Sequence, residues 1–209
     1  METIAVIDFE TTGLSPQQGD RATEIAAVIV RDGQIVDRYQ SLMNAGVRIP
    51  PFITELTGIT DAMVRAAPPA ADVMREVYDF VGSRPLVAHN AGFDSRFWDA
   101  ELERIGRTRA QEFACSMLVA RRVFPQARSH KLGALVELAR LQVTGRYHRA
   151  LADAEMAANL LLHMRDELRR RYDLRAVPHE LLRKIQKVPK HKLDRCVEEH
   201  LAASLVRPN

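Results

Sequence analysis

The sequence predicts a mixed α/β domain with a sheet of about five strands, followed by a basic helical extension. Three patterns carry that prediction. Ile4-Ala5-Val6-Ile7 is apolar at every position, as in a central strand covered on both sides. Two further apolar runs are joined by Asp32-Gly33, a strong hairpin signal. Beyond Pro68-Pro69, short apolar runs then alternate with segments of helical periodicity.

Taken in order, Ile4–Ile7 is the first strand and leads into Asp8-Phe9-Glu10. The second is Thr23 to Val30, TEIAAVIV, and the third, Gln34 to Met43, runs antiparallel to it. PPFITELTG and TDAMVRAA read as short helical turns. Ala70 to Val81 is a helix with Val73, Val77, Phe80 and Val81 on one face. Leu86-Val87-Ala88 is a short buried strand. Asp94 to Ile105 is a helix with Phe97, Trp98, Leu102 and Ile105 inward, and Phe113-Ala114-Cys115 is the fifth strand before more helix. Lys131 to Arg140 and Ala152 to Arg171 are helices of good propensity.

The chain divides into a domain over 1–177 and an extension over 178–209. In the extension Leu181, Leu182, Ile185 and Val188 share a face, Pro189 breaks the pattern, and Leu193, Cys196, Val197, His200, Leu201 and Leu205 resume it. Two amphipathic helices follow, and their apolar sides must pack on the main domain or on a partner, a second copy included. Arg165 to Val206 reads as nearly continuous helix.

Of the 209 residues 46% are hydrophobic and 27% charged, which excludes a disordered chain. No apolar run approaches the roughly 20 residues of a membrane span. METIAVIDFE has no secretion signal, and Cys115 and Cys196 suggest neither a disulfide framework nor a zinc site. A reducing cytoplasm is the expected location. The net charge of +3 conceals a split: residues 1–164 sum to −2 and residues 165–209 to +5. A basic end of this kind attracts nucleic acid by counterion release, and it equally suits a solvated helix surface.

Chemistry concentrates in three stretches. Asp8 and Glu10 lie two apart on a strand and so point to the same face. Two unpaired carboxylates together are costly to bury. Divalent cations would offset the repulsion, although the pair alone also fits a strand running out into solvent. The second stretch, His89-Asn90-Ala91-Gly92-Phe93-Asp94, follows a buried strand and opens a helix; alone, Asp94 also fits an N-cap. The third, His148-Arg149-Ala150-Leu151-Ala152-Asp153, makes sense if Asp153 starts a helix and His148 sits on the preceding loop. His130, His163, His179, His191 and His200 read as surface histidines.

D-x-E on the first strand, H-N-x-x-F-D at a strand–helix junction and H-x-x-x-x-D before a late helix occur in this order, with DFETTGL around the first. Together they resemble the DEDDh family of 3′–5′ exonucleases, in particular the proofreading subunit of bacterial DNA polymerase III and its stand-alone relatives. The resemblance covers roughly residues 3–165. It implies an RNase H-like fold and hydrolysis of the terminal phosphodiester with release of nucleoside 5′-monophosphates. It implies two divalent ions, Mg²⁺ or Mn²⁺, with Asp8, Glu10, Asp94 and Asp153 as the four acids. Asp8 would bridge both ions, Glu10 and Asp153 would hold one, and Asp94 would act more indirectly. His148 would be the general base, its ordinary pKa of about 6.5 suiting that role at neutral pH.

By the same resemblance, Thr11 and Thr12 would meet the terminal sugar, with Gly13 permitting a tight turn. Leu14 and Phe93 would flank the terminal base, since apolar and aromatic faces grip single strands without reading sequence. Leu56, Thr57 and Ile59 of LTGIT are further substrate contacts, and packing in the core is the competing reading of the apolar ones. Single-stranded DNA 3′ ends are the expected partner, with RNA ends or short oligonucleotides as the alternative. DNA polymerase III subunits are a second candidate partner, although the sequence shows no flexible segment or clamp-binding motif. A pure nucleic-acid-binding module needs only the basic end and leaves the five-residue constellation unexplained.

Overall fold

The computed structural model of the protein describes residues 2–143, 145 and 147–206, of which 204–206 by backbone only. Leu205, placed above on the apolar face of the extension, lies outside the described side chains. Among the described residues there is one five-stranded sheet of order β3-β2-β1-β4-β5. It is formed by β1 (Ile4–Thr11), β2 (Ala22–Arg31), β3 (Gln34–Leu42), β4 (Leu86–Ala88) and β5 (Phe113–Cys115). The first three strands make an antiparallel meander, and β4 and β5 run parallel to β1. The sheet is therefore mixed, as expected.

Central β1 sorts its side chains by parity. Ala5, Ile7 and Phe9 join one core cluster, with Val73, Met74 and Val77 of α3 (Ala70–Val81) and Phe97, Trp98 and Leu102 of α4 (Gly92–Arg104). Ile4 and Val6 face the other way, onto a core that includes Ala154, Leu161 and Met164. Those three belong to the 23-residue helix Ala150–Tyr172, which is α7 when α5 (Ser116–Val123) and α6 (Leu132–Leu138) are counted before it. Covering on both faces explains why β1 is apolar throughout rather than alternating.

Two short helices, α1 (Pro51–Thr57) and α2 (Asp61–Ala66), follow β3 and pack through Ile49, Ile53, Ile59 and Val64. Helix α7 does not run on into the extension. It stops at Asp173, which adopts a left-handed φ of 50°, and Arg169, Arg170 and Arg171 complement the carbonyl end of its dipole. Pro178 then opens α8 (His179–Ile185), and Pro189 precedes a 3₁₀ turn before α9 (Leu193–Val206). The near-continuous helix expected over 165–206 is thus broken twice, by a left-handed residue and by proline.

The extension lies on the same core as α7. Leu181, Leu182, Ile185, Leu193, Cys196 and Val197 are all buried there. His179, expected at the surface, is 5% exposed. Its Nε2 donates to the Leu86 carbonyl at 2.8 Å, which ties α8 to β4. No helix of the described residues is long and apolar enough to cross a membrane.

Candidate active site

The acids lie at one end of the sheet. Asp8 and Glu10 continue the face begun by Ile4 and Val6, so a single strand carries packing residues first and carboxylates after. Parallel β4 ends at the same side, and α4 starts just beyond it. Crevices outside the carboxyl ends of parallel strands are the usual place for ligands in such sheets.

Asp94 is not the N-cap that its sequence position suggests. Helix α4 begins two residues earlier, and Asp94 sits in its first turn. From there its Oδ1 accepts from the Phe9 backbone N–H at 3.2 Å, and the side chain is 2% exposed. Asp153 likewise lies inside the first turn of α7 rather than at its start. Its Oδ2 accepts from the His148 backbone N–H at 3.0 Å, while its Oδ1 is buried without a hydrogen-bond partner among the described residues. His148 itself is exposed and has a left-handed φ of 62°.

Burial and mutual repulsion push these carboxyls upward. Glu10 rises to about 8, through burial first and then through Asp153, Glu24 and Asp94, with Arg149 opposing. Asp94 rises to about 7 by burial, against the hydrogen bonds from Phe9 and from its own N–H. Asp8 is held well above the ordinary range by burial and then by Asp94, Asp153, Glu10 and Glu24. Asp153 is also raised, again chiefly by burial. Such a group is stable in its ionised form only with cations nearby.

The residues fit divalent ions. Glu10, His148 and Asp153 offer ligand atoms that all lie within 4.8 Å of one another. Asp153 Oδ1 is an acceptor without a donor, and the set is dominated by oxygen, the donor that Mg²⁺ and Mn²⁺ prefer. The structure therefore brings His148 to the acids, five residues from Asp153 in sequence and 138 from Glu10.

A fifth carboxylate escaped the sequence reading. Glu24 lies on β2 directly opposite Glu10 and is fully buried. Burial raises its pKa, but hydrogen bonds from Arg149, the Ala150 N–H and Gln40 outweigh burial and bring it below the ordinary value. TEIAAVIV gave no sign of this, because the partner that compensates the charge is 125 residues away.

His89 also has a definite place. Its Nε2 donates to the His130 carbonyl at 2.9 Å and its Nδ1 lies 2.9 Å from the Ser116 hydroxyl. It joins β4, α5 and the segment before α6. Burial lowers its pKa from 6.5 to about 4, against the carbonyl bond to His130. Because the folded value lies below the unfolded one, the stability it contributes is present above about pH 6.5 and is lost as pH falls towards 4. The melting temperature should fall across that window. His89→Gln should flatten this part of the profile, as followed by circular dichroism.

The candidate substrate contacts divide. Leu14 is 77% exposed and Leu56 47%, so both are available to a ligand. Phe93 is half-buried against Phe97, with ring centroids 5.0 Å apart. Thr11 donates its hydroxyl to the Gly13 carbonyl at 2.6 Å, and Thr12 Oγ1 accepts from the Arg21 N–H at 3.0 Å. Both hydroxyls are thus engaged within the turn. Gly13 does not have a left-handed backbone, and a Cβ there would stand 2.4 Å from the Asp20 carboxylate, which would have to move from its bond with the Ser15 N–H. Thr57 and Ile59 correct the expectation made for them. Thr57 is 1% exposed with its hydroxyl donating to Ile53, and Ile59 is fully buried in the small core under α1. Their side chains pack and cannot reach a substrate. Phe52, one helical turn before Leu56, is 63% exposed and was not singled out from the sequence.

A carboxylate cluster with a histidine, at the end of an RNase H-like sheet, defines a hydrolase centre of the nuclease kind. The exonuclease family model RNase_T matches residues 5–161. The chain belongs to that exonuclease family. It is 40% identical over 161 residues to a PolC-type DNA polymerase III of Oceanobacillus iheyensis, covering 77% of this chain and 11% of that protein. It is 35% identical over 194 residues to the 3′-5′ exonuclease DinG of Bacillus subtilis, covering 91% and 20%. The chain thus spans a fifth or less of the length of these relatives. Among solved structures, exonuclease X in complex with 5′ overhanging duplex DNA superposes with a TM-score of 0.70 at 31% identity, covering 88% of this chain and 99% of that one.

Proposed function

We propose that the protein hydrolyses the terminal phosphodiester at the 3′ end of single-stranded DNA and releases nucleoside 5′-monophosphates. The observation that carries this reading is the convergence of Asp8, Glu10, Asp94 and Asp153 with His148 at one end of the sheet. Two divalent ions, Mg²⁺ or Mn²⁺, held by the four acids would supply Lewis acidity and neutralise charge on the phosphodiester. Asp8 is central to that set, since the other acids all bear on its charge. His148 takes the proton of the attacking water on an imidazole nitrogen, and its exposed loop leaves room for it to move with substrate. The terminal base rests against Leu14 and Phe93, and Leu56 and Phe52 extend the apolar surface for the next. The hydroxyls of Thr11 and Thr12 are engaged and the Thr12 N–H donates to the Arg21 carbonyl at 2.9 Å, so the terminal sugar would meet the remaining backbone polar groups of this turn.

The kinship to PolC-type polymerase supports DNA as substrate and a polymerase assembly as partner. Helices α8 and α9 pack on the domain itself, so docking would use another surface. Leu181, Leu182, Ile185, Leu193, Cys196 and Val197 are covered within the chain, while Leu201 stays 39% exposed. Digestion of 5′-labelled DNA and RNA oligonucleotides of several lengths with Mg²⁺ and with Mn²⁺ tests the reading. DNA shortened one nucleotide at a time from the 3′ end supports it. Preference for RNA, or for the shortest oligonucleotides, would replace it with an exoribonuclease or oligonucleotide-degrading role.

His148→Ala should slow the chemical step by roughly 10²–10⁴-fold, the usual range for loss of a general base. Calorimetric titration with Mn²⁺ should find its affinity intact. A joint loss of metal affinity and activity would make the histidine a ligand.

A further inference from the structure

We infer that Glu24 and Arg149 form a latch that sets the place of the backbone carrying the His148 ring, so that both are positioning residues for the hydrolysis proposed above, on which this inference rests. Every acceptor site of the Glu24 carboxylate is taken. Oε1 accepts from Arg149 Nη2 at 2.8 Å and from Gln40 Nε2 at 2.7 Å. Oε2 accepts from Arg149 Nε and from the Ala150 N–H, both at 3.1 Å. A carboxylate offers about four lone-pair sites, so none remains for a cation. Glu24 thus differs in kind from Asp153, whose Oδ1 has no donor, although the two share one end of the sheet.

What Glu24 holds is the chain immediately after the histidine. Arg149 and Ala150 follow His148 in sequence, and β2 grips both. The guanidinium is bound in the two-pronged manner that fixes its orientation as well as its distance. His148 has a backbone conformation that side-chain-bearing residues keep only when their surroundings hold them. Its own N–H is held by Asp153. On the upstream side the Tyr147 ring lies over Gly133, 3.5 Å from where a Cβ would stand. The backbone that carries the base is therefore held on three sides while the exposed ring keeps its side-chain freedom, and the downstream hold is the one built from a buried charge. Helix α7 does not need that hold to stay on the sheet, because Ala154, Ala157, Leu161 and Met164 already bury its inner face. The latch is free to serve the loop.

The test uses Arg149→Met and Arg149→Lys, each made alone and with His148→Ala. Arg149→Met leaves the fully buried Glu24 carboxylate without its ion-pair partner and should lower the melting temperature, whereas Arg149→Lys keeps the charge; both are assayed at a temperature where circular dichroism shows them folded. Arg149→Met should lower kcat on a 5′-labelled DNA oligonucleotide by about 10–100-fold, as losses of supporting contacts commonly do. KM should be unchanged, and any change in Mn²⁺ affinity that comes from losing the positive charge near Glu10 should be absent in Arg149→Lys. Arg149→Lys should recover part of the rate. With His148→Ala, Arg149→Met should cost less than about twofold, because its effect passes through the histidine. Equal losses in both backgrounds, or no loss in either, would overturn the latch. Amide hydrogen exchange supplies a readout independent of activity: in the metal-free Arg149→Met protein the His148 and Ala150 amides should exchange faster. Unchanged exchange at both amides overturns the latch even where the wild-type protein proves inactive on DNA and RNA, a result that would by itself overturn only the proposed function.

Discussion

Asp8→Ala is expected to reduce hydrolysis by roughly 10⁴-fold or more, the scale on which one member of an interdependent catalytic set is lost. At the upper end of the pH range the same change should leave the metal-free protein at least as heat-stable as the wild type. The two effects share a cause. Asp8 is raised by burial and by four other acids, so its ionised form is a liability to the fold without cations and the site's function with them. The direction with pH follows from the raised value. A carboxyl whose folded pKa lies above its unfolded one contributes stability fully below the unfolded value, near 4, and loses it as pH rises through the folded value. In this cluster that loss extends to the region of 7 to 8 set by Asp94 and Glu10. The melting temperature of metal-free Asp8→Ala should therefore draw level with or pass the wild type between pH 5 and pH 8. Added Mn²⁺ should raise the wild type by mass action and leave the variant nearly unmoved. Scanning calorimetry at both pH values, with and without Mn²⁺, measures all of this. A variant that hydrolyses DNA at the wild-type rate would remove Asp8 from the proposed metal site.

The elements that position the acids were legible because their signals are local. The apolar run Ile4–Ile7, the Asp32-Gly33 turn and the period of Val73, Val77 and Val81 each act within a few residues, and β1, the β2–β3 hairpin and α3 form where they indicate. The acids were legible for a different reason: D-x-E places two carboxylates on one face of any strand. What stayed hidden depends on distant partners. Glu24 resembles any other strand residue until Arg149 reaches it. His179 resembles a surface histidine until Leu86, 93 residues earlier, accepts its proton. Thr57 and Ile59 looked like substrate contacts because their burial comes from packing around α1, which no spacing announces. The crowding of Gly13 is hidden in the same way, since the Asp20 carboxylate that a Cβ would meet lies across the turn.

Removal of residues 178–209 should make the domain less soluble or change its oligomeric state. The extension buries Leu181, Leu182, Ile185 and Val197 completely and Leu193 almost so. Five such side chains at about 1.5–3 kcal/mol each amount to roughly 7 kcal/mol or more of burial, against a total stability of about 5–15 kcal/mol for an ordinary domain. The ordering entropy of the helices offsets part of this, but the surface they leave behind is apolar and continuous with the core, a form of exposure that promotes aggregation. A second loss is specific to this sheet. Strand β5 is an edge, and Gln186 treats it as a neighbouring strand would: its Oε1 accepts from the Cys115 N–H at 2.6 Å and its Nε2 donates to the Phe113 carbonyl at 3.4 Å. Arg122 Nε adds a bond to the Val188 carbonyl at 2.8 Å. Without the extension the β5 edge is bare, and a bare edge pairs with other chains. Light scattering of the 1–177 fragment should therefore show aggregates or a changed oligomeric state. Leu182→Ala in the full chain, costing about 2–5 kcal/mol, should lower the melting temperature while sparing the acids at the far end of the sheet. A soluble 1–177 fragment of monomeric size and full activity would show that α8 and α9 are dispensable to the fold, and would leave them free to dock a polymerase.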